Sequence, residues 1–163
     1  MNVALRPPPF HESFAGRTAN EVLVGEVMHP GIVCCPPEVP LSFAARTMAA
    51  HRVHAVVVLG DEEEGGLWGV VSDTDVLSAI AERSLDRHTA GGMAETPIVT
   101  VSRRHTLARA AALMREHGVT HLVVVGPESR PIGVVSTFDL VRAAAAGLID
   151  RHSAPKHPLA GTG

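Results

Sequence analysis

The sequence predicts a mixed α+β or α/β fold made of two copies of a β-α-β-β-α unit, packed sheet to sheet with pseudo-two-fold symmetry. The first observation behind this prediction is a Gly-Val-Val-Ser-x-x-Asp motif that occurs at Gly69–Asp75 and again at Gly133–Asp139. The second is spacing, because corresponding residues lie 66 positions apart up to an acidic turn, as Ile32 and Ile98 do, and 64 apart after it. A two-residue length change in one loop is tolerated in a duplicated unit.

The order of elements is the same in both copies. Each has a short β-branched strand, a helix with one apolar face, a continuous apolar strand, a turn, another apolar strand and a helix. In the first copy these elements lie at Ile32–Cys35, Leu41–Met48, Val53–Leu59, Leu67–Val71 and the residues up to Glu82. In the second they lie at Ile98–Val101, Leu107–Met114, Val119–Val125, Ile132–Val135 and the residues up to Gly147. Neither copy is large enough to bury its sheet alone, so we expect the two sheets to pack on each other.

The pattern divides the chain into five segments: an N-terminal extension, a first repeat with a leading helix, a polar linker, a second repeat and a flexible tail. Their bounds are residues 1–17, 18–84, 85–92, 93–150 and 151–163. The leading helix is expected to begin at a capping box, Thr18–Glu21, because a threonine followed by a glutamate three residues later satisfies free backbone N–H groups.

Composition excludes several classes of protein. Of the 163 residues, 45% are hydrophobic and 19% are charged, and the formal net charge is −3. This balance predicts no binding to nucleic acid or to an anionic membrane surface. No apolar run approaches the roughly 20 residues of a membrane span, and the N-terminus lacks the pattern of a signal peptide. We therefore expect a cytoplasmic protein.

The two cysteines, Cys34 and Cys35, are adjacent on a predicted strand. Neighbouring strand residues point to opposite faces, so we expect neither a disulfide between them nor joint coordination of one metal ion. A metal or redox role for this pair, together with nearby histidines, stays a weak alternative because no Cys-x-x-Cys or His-x-x-x-His spacing supports it. The sequence also lacks a nucleophile–base pair and a phosphate-binding loop, so we do not predict an enzyme.

The Ser-x-x-Asp end of each motif lies where a strand ends and a helix begins. There the serine can cap the helix while the aspartate lies in its first turn, which by itself is a capping box. The free N–H groups of the same helix terminus also attract anions. Each junction, Ser72–Asp75 and Ser136–Asp139, is therefore interpreted either as a cap alone or as part of a ligand site.

Both repeats resemble CBS domains, named for cystathionine beta-synthase, and the chain resembles a stand-alone tandem CBS-domain pair. The resemblance covers roughly Val24 to Gly147, and it depends on the two motifs together with Val27–Pro30 and His117–Val125. It implies a compact pair with two clefts that acts as a regulatory sensor. It also implies AMP, ADP, ATP or S-adenosylmethionine as ligand, a homodimer, and a regulated partner protein that the sequence does not identify.

The resemblance further implies which residues bind the ligand. Asp75 and Asp139 correspond to the aspartate that accepts hydrogen bonds from ribose hydroxyls, and the serine of each run corresponds to the hydroxyl near the phosphate. The first strand of each repeat corresponds to the wall of the adenine pocket, and a histidine of the next strand lies near the ligand. The candidate residues are Ser136, Thr137, Asp139, Thr100, Val99, Ile98, His121, Ser72, Thr74, Asp75, Val33, Ile32 and His54.

The two clefts are not predicted to be equal. Relatives that bind phosphate often carry Arg or Lys in the Ser-x-x-Asp run, and neither run of this chain does. Asp73 adds negative charge to the first junction, so the second junction, with Thr100 beside it, is the preferred site. AMP or a nucleoside is favoured over a triphosphate unless Arg103, Arg104 or Arg130 reaches in. The alternative is a ligand-free interaction or dimerisation module.

Overall fold

Two β-sheets lie at the centre of the structure, a computed structural model that describes residues 14–60 and 66–148. Within these residues the strands are His29–Pro30 (β1), Cys34–Cys35 (β2), Ala55–Leu59 (β3), Leu67–Ser72 (β4), Thr100–Ser102 (β5), His121–Val125 (β6) and Pro131–Ser136 (β7). The helices are Val24–Val27 (α1), Leu41–His51 (α2), Asp73–Ala81 (α3), Ala90–Met93 (α4), Leu107–His117 (α5) and Thr137–Ala145 (α6). Short 3₁₀ turns lie at Leu85–Arg87 and Pro127–Ser129.

The sheet topology confirms the predicted duplicated fold of mixed α+β class. The first sheet has the strand order β2-β3-β4, and the second has the order β1-β7-β6-β5. In each repeat the first long-range pairing is parallel, between β2 and β3 or between β5 and β6. The next pairing is antiparallel, between β3 and β4 or between β6 and β7. Each Ser-x-x-Asp run therefore follows the last strand of its repeat and opens α3 or α6.

The longest helices form because apolar residues recur on one face. Leu41 and Met48 are buried on α2, and Leu107 and Met114 are buried at the corresponding positions of α5. These helices give each repeat its own core on the outer side of its sheet. Helix α5 ends at Gly118 with φ at 67°, a left-handed conformation that glycine adopts without steric penalty.

A further core lies between the two sheets. Its fully or nearly buried residues are Ala55, Val57, Val70 and Val123. Partly buried residues of both repeats, including Ile32, Ile98 and Val134, pack against them. Complete burial of one valine or leucine side chain contributes about 1.5–3 kcal/mol relative to exposure. The apolar faces of the sheets therefore hold the two repeats together, as predicted.

The leading segment of each repeat packs on the other repeat. Strand β1 precedes the first repeat in sequence, but it pairs antiparallel with β7 of the second. Gly133 of β7 has to be glycine, because a Cβ there would overlap the carbonyl oxygen of His29. In the opposite direction, the N–H of Glu95 donates to the carbonyl oxygen of Val70 on β4 at 3.0 Å. The repeats are thus joined by exchanged segments as well as by their sheets.

This exchange crosses the predicted segments of the chain, whose bounds stay a prediction. The sequence assigns the leading helix to the first repeat, whereas Val24 of α1 is fully buried in the core of the second. The predicted linker contains a 3₁₀ turn and the start of α4, and Ala90 is fully buried against the first repeat. A pattern of element types does not reveal which repeat such a segment packs on, because both offer equivalent surfaces.

Three predicted segments fall wholly or largely outside the described residues: the N-terminal extension up to residue 13, the acidic turn at residues 61–65 and the tail at residues 151–163. Among the residues that the structure does describe, no helix is long and apolar enough to cross a membrane.

Candidate functional site

A cavity of about 270 Å³ lies between the two repeats, at the second Ser-x-x-Asp junction. Residues of both repeats line it: His29, Pro30, Gly31, Ile32, Val33, Arg52, Val53, His54, Ala55, His121, Val134, Ser136 and Asp139. Ile32, Ala55 and Val134 belong also to the core between the sheets, so one wall of the cavity is apolar and fixed by packing. A molecule bound here contacts both halves of the chain.

Asp139 uses one carboxylate oxygen to cap its helix and leaves the other available. The backbone N–H and the hydroxyl of Ser136 donate to Oδ2 of Asp139 at 2.8 and 2.7 Å. In return, the N–H of Asp139 donates to the Ser136 hydroxyl oxygen at 3.3 Å. Oδ1 is buried and has no hydrogen-bond donor among the described residues, and the whole residue is only 2% exposed. Asp139 can therefore cap its helix through one oxygen and accept a hydrogen bond from a ligand through the other.

His29 lies beside the available oxygen. Its Nδ1 atom is 3.3 Å from Oδ1 of Asp139, and its side chain is 60% exposed. It reaches this place because β1 pairs with β7, two elements that are distant in sequence. An imidazole at this place adds no negative charge to that of the buried carboxylate.

His121 adds a second imidazole to the cavity wall. Its Nδ1 atom lies 2.9 Å from the hydroxyl oxygen of Thr120, and its Nε2 atom is buried without a hydrogen-bond partner in the described ranges. Burial lowers the pKa of His121 below its ordinary value of 6.5, partly offset by nearby carboxylates such as Asp73 and Asp139. At neutral pH the ring is therefore neutral, and Nε2 donates or accepts according to the tautomer.

The first repeat contributes an arginine and a histidine to the wall. Arg52 follows α2 in a left-handed conformation with φ at 54°, and its exposed side chain lines the cavity. His54 lies two residues further on, with Nδ1 at 2.9 Å from Oδ2 of Asp73. Arg103, Arg104 and Arg130, which the sequence offered as possible phosphate ligands, are not among the cavity's lining residues.

The first junction has the same cap in a different electrostatic setting. The N–H and hydroxyl of Ser72 donate to Oδ2 of Asp75 at 2.7 and 2.8 Å. The hydroxyls of Ser72 and Thr74 are 2.6 Å apart. Glu95 lies 66 residues after His29 and occupies the corresponding place. Burial, and then the negative charge of Asp75, raise the pKa of Glu95 above its ordinary value of 4.5. Carboxylate side chains therefore lie close together at this junction.

The structure regroups the candidate residues from the sequence. Ile32, Val33, His54 and His121 line the cavity together with Ser136 and Asp139, whereas Ile98, Val99 and Thr100 do not. Thr100 was expected beside Ser136, but it pairs with Val123 in the sheet and is not part of this wall. Face-to-face packing is the reason, because it brings the last strand of one repeat to the first strand of the other.

The remaining candidates lie elsewhere. Ile98 packs in the core between the sheets, and Val99 packs against the core of the second repeat. Thr137 is exposed at the start of α6, while Ser72, Thr74 and Asp75 surround the first junction. Ligand contact by any of these residues stays a prediction.

Among the lining residues with polar side chains, His29 and Arg52 were not candidates from the sequence. The fixed repeat spacing aligns His29 with Glu95 and so offered a signal for the first of them. Arg52 corresponds to Gly118 in the second repeat and occurs in the run His51–His54, which also contains two histidines. This difference between the two repeats was the signal in the sequence for Arg52.

The cysteines behave as two separate groups. Cys34 is exposed and Cys35 is buried, as expected of neighbours on opposite faces of a strand. Burial raises the pKa of Cys35 to about 11, so its thiol is protonated at neutral pH and is a poor nucleophile or metal ligand. Within residues 14–60 and 66–148, no three His, Cys, Asp or Glu side chains are grouped so that they could hold a metal ion.

The fold and this cavity define the class of protein. The sequence profile of the CBS domain matches residues 24–82 and 90–146, more than half of the chain, and the chain belongs to the CBS domain family. It is 29% identical over 119 residues to hypoxic response protein 1 of Mycobacterium tuberculosis, an alignment that covers 72% of this chain and 81% of that protein.

Solved structures show the same tandem pair. CBS domain protein PAE2072 from Pyrobaculum aerophilum, complexed with AMP, is 30% identical, with 76% of this chain and 99% of that chain covered and a TM-score of 0.64. Hypoxic response protein I with two coordinated zinc ions is 28% identical, with 74% and 98% covered and a TM-score of 0.59. These likenesses confirm the pair of CBS repeats that the sequence predicts.

Proposed function

We propose that this protein is a regulatory sensor that binds an adenine nucleotide or a related adenosyl ligand, with AMP favoured, in the cavity between its CBS repeats. Because the cavity is lined by both repeats, its occupancy stabilises one relative arrangement of the two halves. A partner protein that distinguishes the arrangements then responds to the ligand. We expect the protein to act in the cytoplasm as a homodimer and not as an enzyme.

The observation that carries this proposal is Oδ1 of Asp139. A carboxylate oxygen only accepts hydrogen bonds, and leaving one buried without a donor costs about 1–3 kcal/mol. The vicinal hydroxyls of a ribose are donors that satisfy such an oxygen. The related protein PAE2072 binds AMP, which supports a ribose-containing ligand here.

The rest of the cavity favours a mononucleotide. Arg52 and His54 supply a guanidinium and an imidazole from the first repeat, and both suit a phosphate. Ile32, Val33 and Val53 supply apolar wall for a base. The volume of about 270 Å³ lies just below the range of roughly 300–1,000 Å³ that ligand pockets occupy. AMP is therefore favoured over ATP.

Isothermal titration calorimetry with AMP, ADP, ATP, S-adenosylmethionine and adenosine tests this proposal. We expect AMP to bind more tightly than ATP and adenosine, because it has both the diol and a single phosphate. Thermal unfolding in the same ligand series provides an independent readout, since a ligand that binds the native state raises the unfolding temperature. Neither heat nor a thermal shift with any of the five compounds would contradict nucleotide binding.

The second candidate is a ligand-free interaction or dimerisation module. It is favoured by large apolar side chains that are exposed on α3 and α6: Leu77, Ile80, Phe138 and Val141. Soluble domains rarely expose several neighbouring apolar residues unless a partner covers them. A protein that self-associates but shows no heat with the compounds above would support this candidate over the sensor.

A further inference from the structure

The turn that leads into the first long helix is held in the same way in both repeats. It comprises residues 37–40 before α2 and residues 103–106 before α5, and in each repeat two of its carbonyl oxygens accept hydrogen bonds from a short helix, α4 or α1. The bonds are Gly91 N–H to Pro37 O (2.7 Å), Ala90 N–H to Val39 O (2.8 Å), Gly25 N–H to Arg103 O (2.9 Å) and Val24 N–H to His105 O (2.8 Å). Because these bonds involve only the backbone, the side chains of the turn are free to differ.

The side chains at this turn do differ in charge. The second repeat carries Arg103, Arg104 and Arg109, and all three are exposed. The spacing of 66 residues makes their counterparts in the first repeat Pro37, Glu38 and Phe43. None of the counterparts is basic, so the structure of the turn does not require the three arginines. We call Arg103, Arg104 and Arg109 the arginine corner.

The arginine corner keeps its positive charge. In the part of the chain that the structure describes, none of its arginines forms an ion pair with a carboxylate. Glu26 follows Gly25, which lies against Arg103, but its carboxylate is already engaged. Arg17 donates to its two oxygens at 2.8 and 3.0 Å, and the N–H of Leu23 donates to Oε2 at 2.8 Å. Guanidinium groups stay charged at any physiological pH, so the corner attracts anions.

The surroundings of the corner favour a chain of negative charges over a single small anion. Its arginines line neither the cavity between the repeats nor the groove between α5 and α6. The first N–H groups of α5, which could otherwise hold a small anion, already have acceptors. These bonds are Leu107 N–H to Val22 O (2.9 Å), Ala108 N–H to Ala19 O (3.0 Å) and Arg109 N–H to Thr106 Oγ1 (3.3 Å). An anion here therefore meets three separate guanidinium groups, each of which can bind one carboxylate through two parallel hydrogen bonds.

We propose that the arginine corner is a docking surface for an acidic segment of the partner protein that this sensor regulates. A polypeptide with several aspartate or glutamate side chains matches the three separate charges. The formal net charge of −3 opposes attraction of a nucleic acid to the protein as a whole. The corner is also close in the chain to the ligand cavity, because α1, which holds the turn, leads directly to His29 beside Asp139.

This inference gives the partner of the proposed function a chemical class, and it depends on that function for its biological role. The binding of an acidic segment is measured without nucleotide. Failure of nucleotide binding therefore leaves the docking surface standing, and failure of the docking surface leaves nucleotide binding standing.

Fluorescence anisotropy with a labelled poly-glutamate peptide, in nucleotide-free buffer of low ionic strength, tests the surface. We expect saturable binding that weakens as salt is added, because exposed ion pairs are screened. Arg104→Glu combined with Arg109→Glu should raise the dissociation constant at least about 10-fold, since two attractive contacts become repulsive. Absence of saturable binding by the wild type would overturn the proposal.

The matched control is Arg87→Glu combined with Arg142→Glu. Both residues are exposed and lie outside the corner, and the pair changes the net charge by the same amount. We expect the control to change the dissociation constant less than about 3-fold. Equal losses in the two double variants would show that the peptide responds only to net charge and would overturn the docking surface.

Two further probes test the choice of an acidic polypeptide. A labelled double-stranded DNA oligonucleotide should bind more weakly than the peptide under the same conditions. Inorganic phosphate should displace the peptide no better than sodium chloride at equal ionic strength. Tighter binding of DNA, with the same loss in the corner variant, would assign the corner to nucleic acid. Specific displacement by phosphate would assign it to a small anion, and either result would overturn the proposal.

Discussion

The two Ser-x-x-Asp junctions have almost the same local geometry and different surroundings. In both, the serine N–H donates to Oδ2 of the aspartate, at 2.7 Å in the first junction and 2.8 Å in the second. In both, the segment that approaches the aspartate comes from the leading part of the other repeat. That segment brings Glu95 to Asp75 and His29 to Asp139. One residue outside the motif thus differs between the two junctions, a carboxylate beside Asp75 and an imidazole beside Asp139.

The comparison shows that the motif alone does not define a ligand site. The first junction has Asp73 and Glu95 near Asp75, so an anionic ligand there meets an additional negative charge. The second has an imidazole on the corresponding side and receives Arg52 from the other repeat. Equivalent backbone positions cap a helix in both repeats, and we propose that only the position in the second repeat also contacts a ligand.

The largest expected difference between the junctions is in Asp139→Ala against Asp75→Ala. Hydrogen bonds to a charged group contribute about 1.5–3 kcal/mol, so loss of Asp139 should weaken AMP binding roughly 10- to 150-fold. Asp75→Ala should leave the affinity within about 3-fold. Calorimetry measures both constants. The two variants lose the same type of cap, worth about 0.5–2 kcal/mol, so their thermal unfolding should be similar; the reverse order of affinities would refute the choice of cleft.

Replacing His29 by glutamate, the residue type of Glu95 at the first junction, should reduce the difference between the two junctions. His29→Glu places a carboxylate beside Asp139 and makes the second junction resemble the first. A like charge at this distance, in a partly screened site, should reduce AMP affinity on the order of 10-fold. His29→Gln removes the imidazole without adding a carboxylate and serves as the control, with an effect smaller than about 3-fold. Equal losses in the two variants would mean that the loss comes from removing the imidazole and not from the added carboxylate.

Arg52 of the first repeat should affect the binding of AMP but not the binding of adenosine. Arg52→Gln should weaken AMP binding roughly 5- to 10-fold, since a partly exposed charge contributes less than a buried one. Binding of adenosine should be unchanged because it carries no phosphate. Arg103→Gln, at a residue that does not line the cavity, is the matched control. A similar loss for AMP and adenosine would place Arg52 away from the phosphate.

The smallest expected effect concerns pH. The pKa of His121 is lowered by burial, so the unfolded chain binds a proton more readily than the native one. This residue therefore contributes stability above pH 6.5, and the contribution is lost as the pH falls from 6.5 through its lower native pKa. Thermal unfolding between pH 7.5 and 5.5 should change less in His121→Gln than in the wild type.

The first junction should show the opposite dependence. The pKa of Glu95 is raised, so the native state holds this proton more tightly, and stability is lost as the pH rises from 4.5 through the raised value. Glu95→Gln should remove that loss and increase the unfolding temperature slightly at pH 7. An identical pH dependence in Glu95→Gln and the wild type would contradict the crowding of carboxylates at this junction.

Much of the fold could be predicted because its signals are local and occur twice. The capped helix starts at Ser72 and Ser136 and the helical stripes ending at Met48 and Met114 are where the sequence places them. The predicted strands are also present, although β2, β3, β5 and β6 each begin two residues later than predicted. The preference for the second junction came from Asp73, a local feature as well. Duplication made these signals stronger, since a chance pattern does not repeat in the same order.

The site could be predicted only in part because its wall is assembled from distant segments. His29 reaches Asp139 through pairing of β1 with β7, and Arg52 reaches the cavity through packing of the two sheets. Neither contact leaves a periodic signal. Thr100 was grouped with Ser136 because both belong to the second repeat, whereas face-to-face packing joins Ser136 to Ile32 and Val33 of the first. Two residues of the same repeat therefore do not necessarily line the same cleft.

The exchanged leading segments restrict how this protein can be divided or recombined. A fragment cut between the repeats would carry β1 and α1 without the sheet and core they complete, and would leave β7 with an exposed edge. Such edges are sites of aggregation. A transplant of the second repeat into another host would have to include residues 22–30 together with residues 99–148, as two separate insertions. The smallest unit that can be moved intact is the pair.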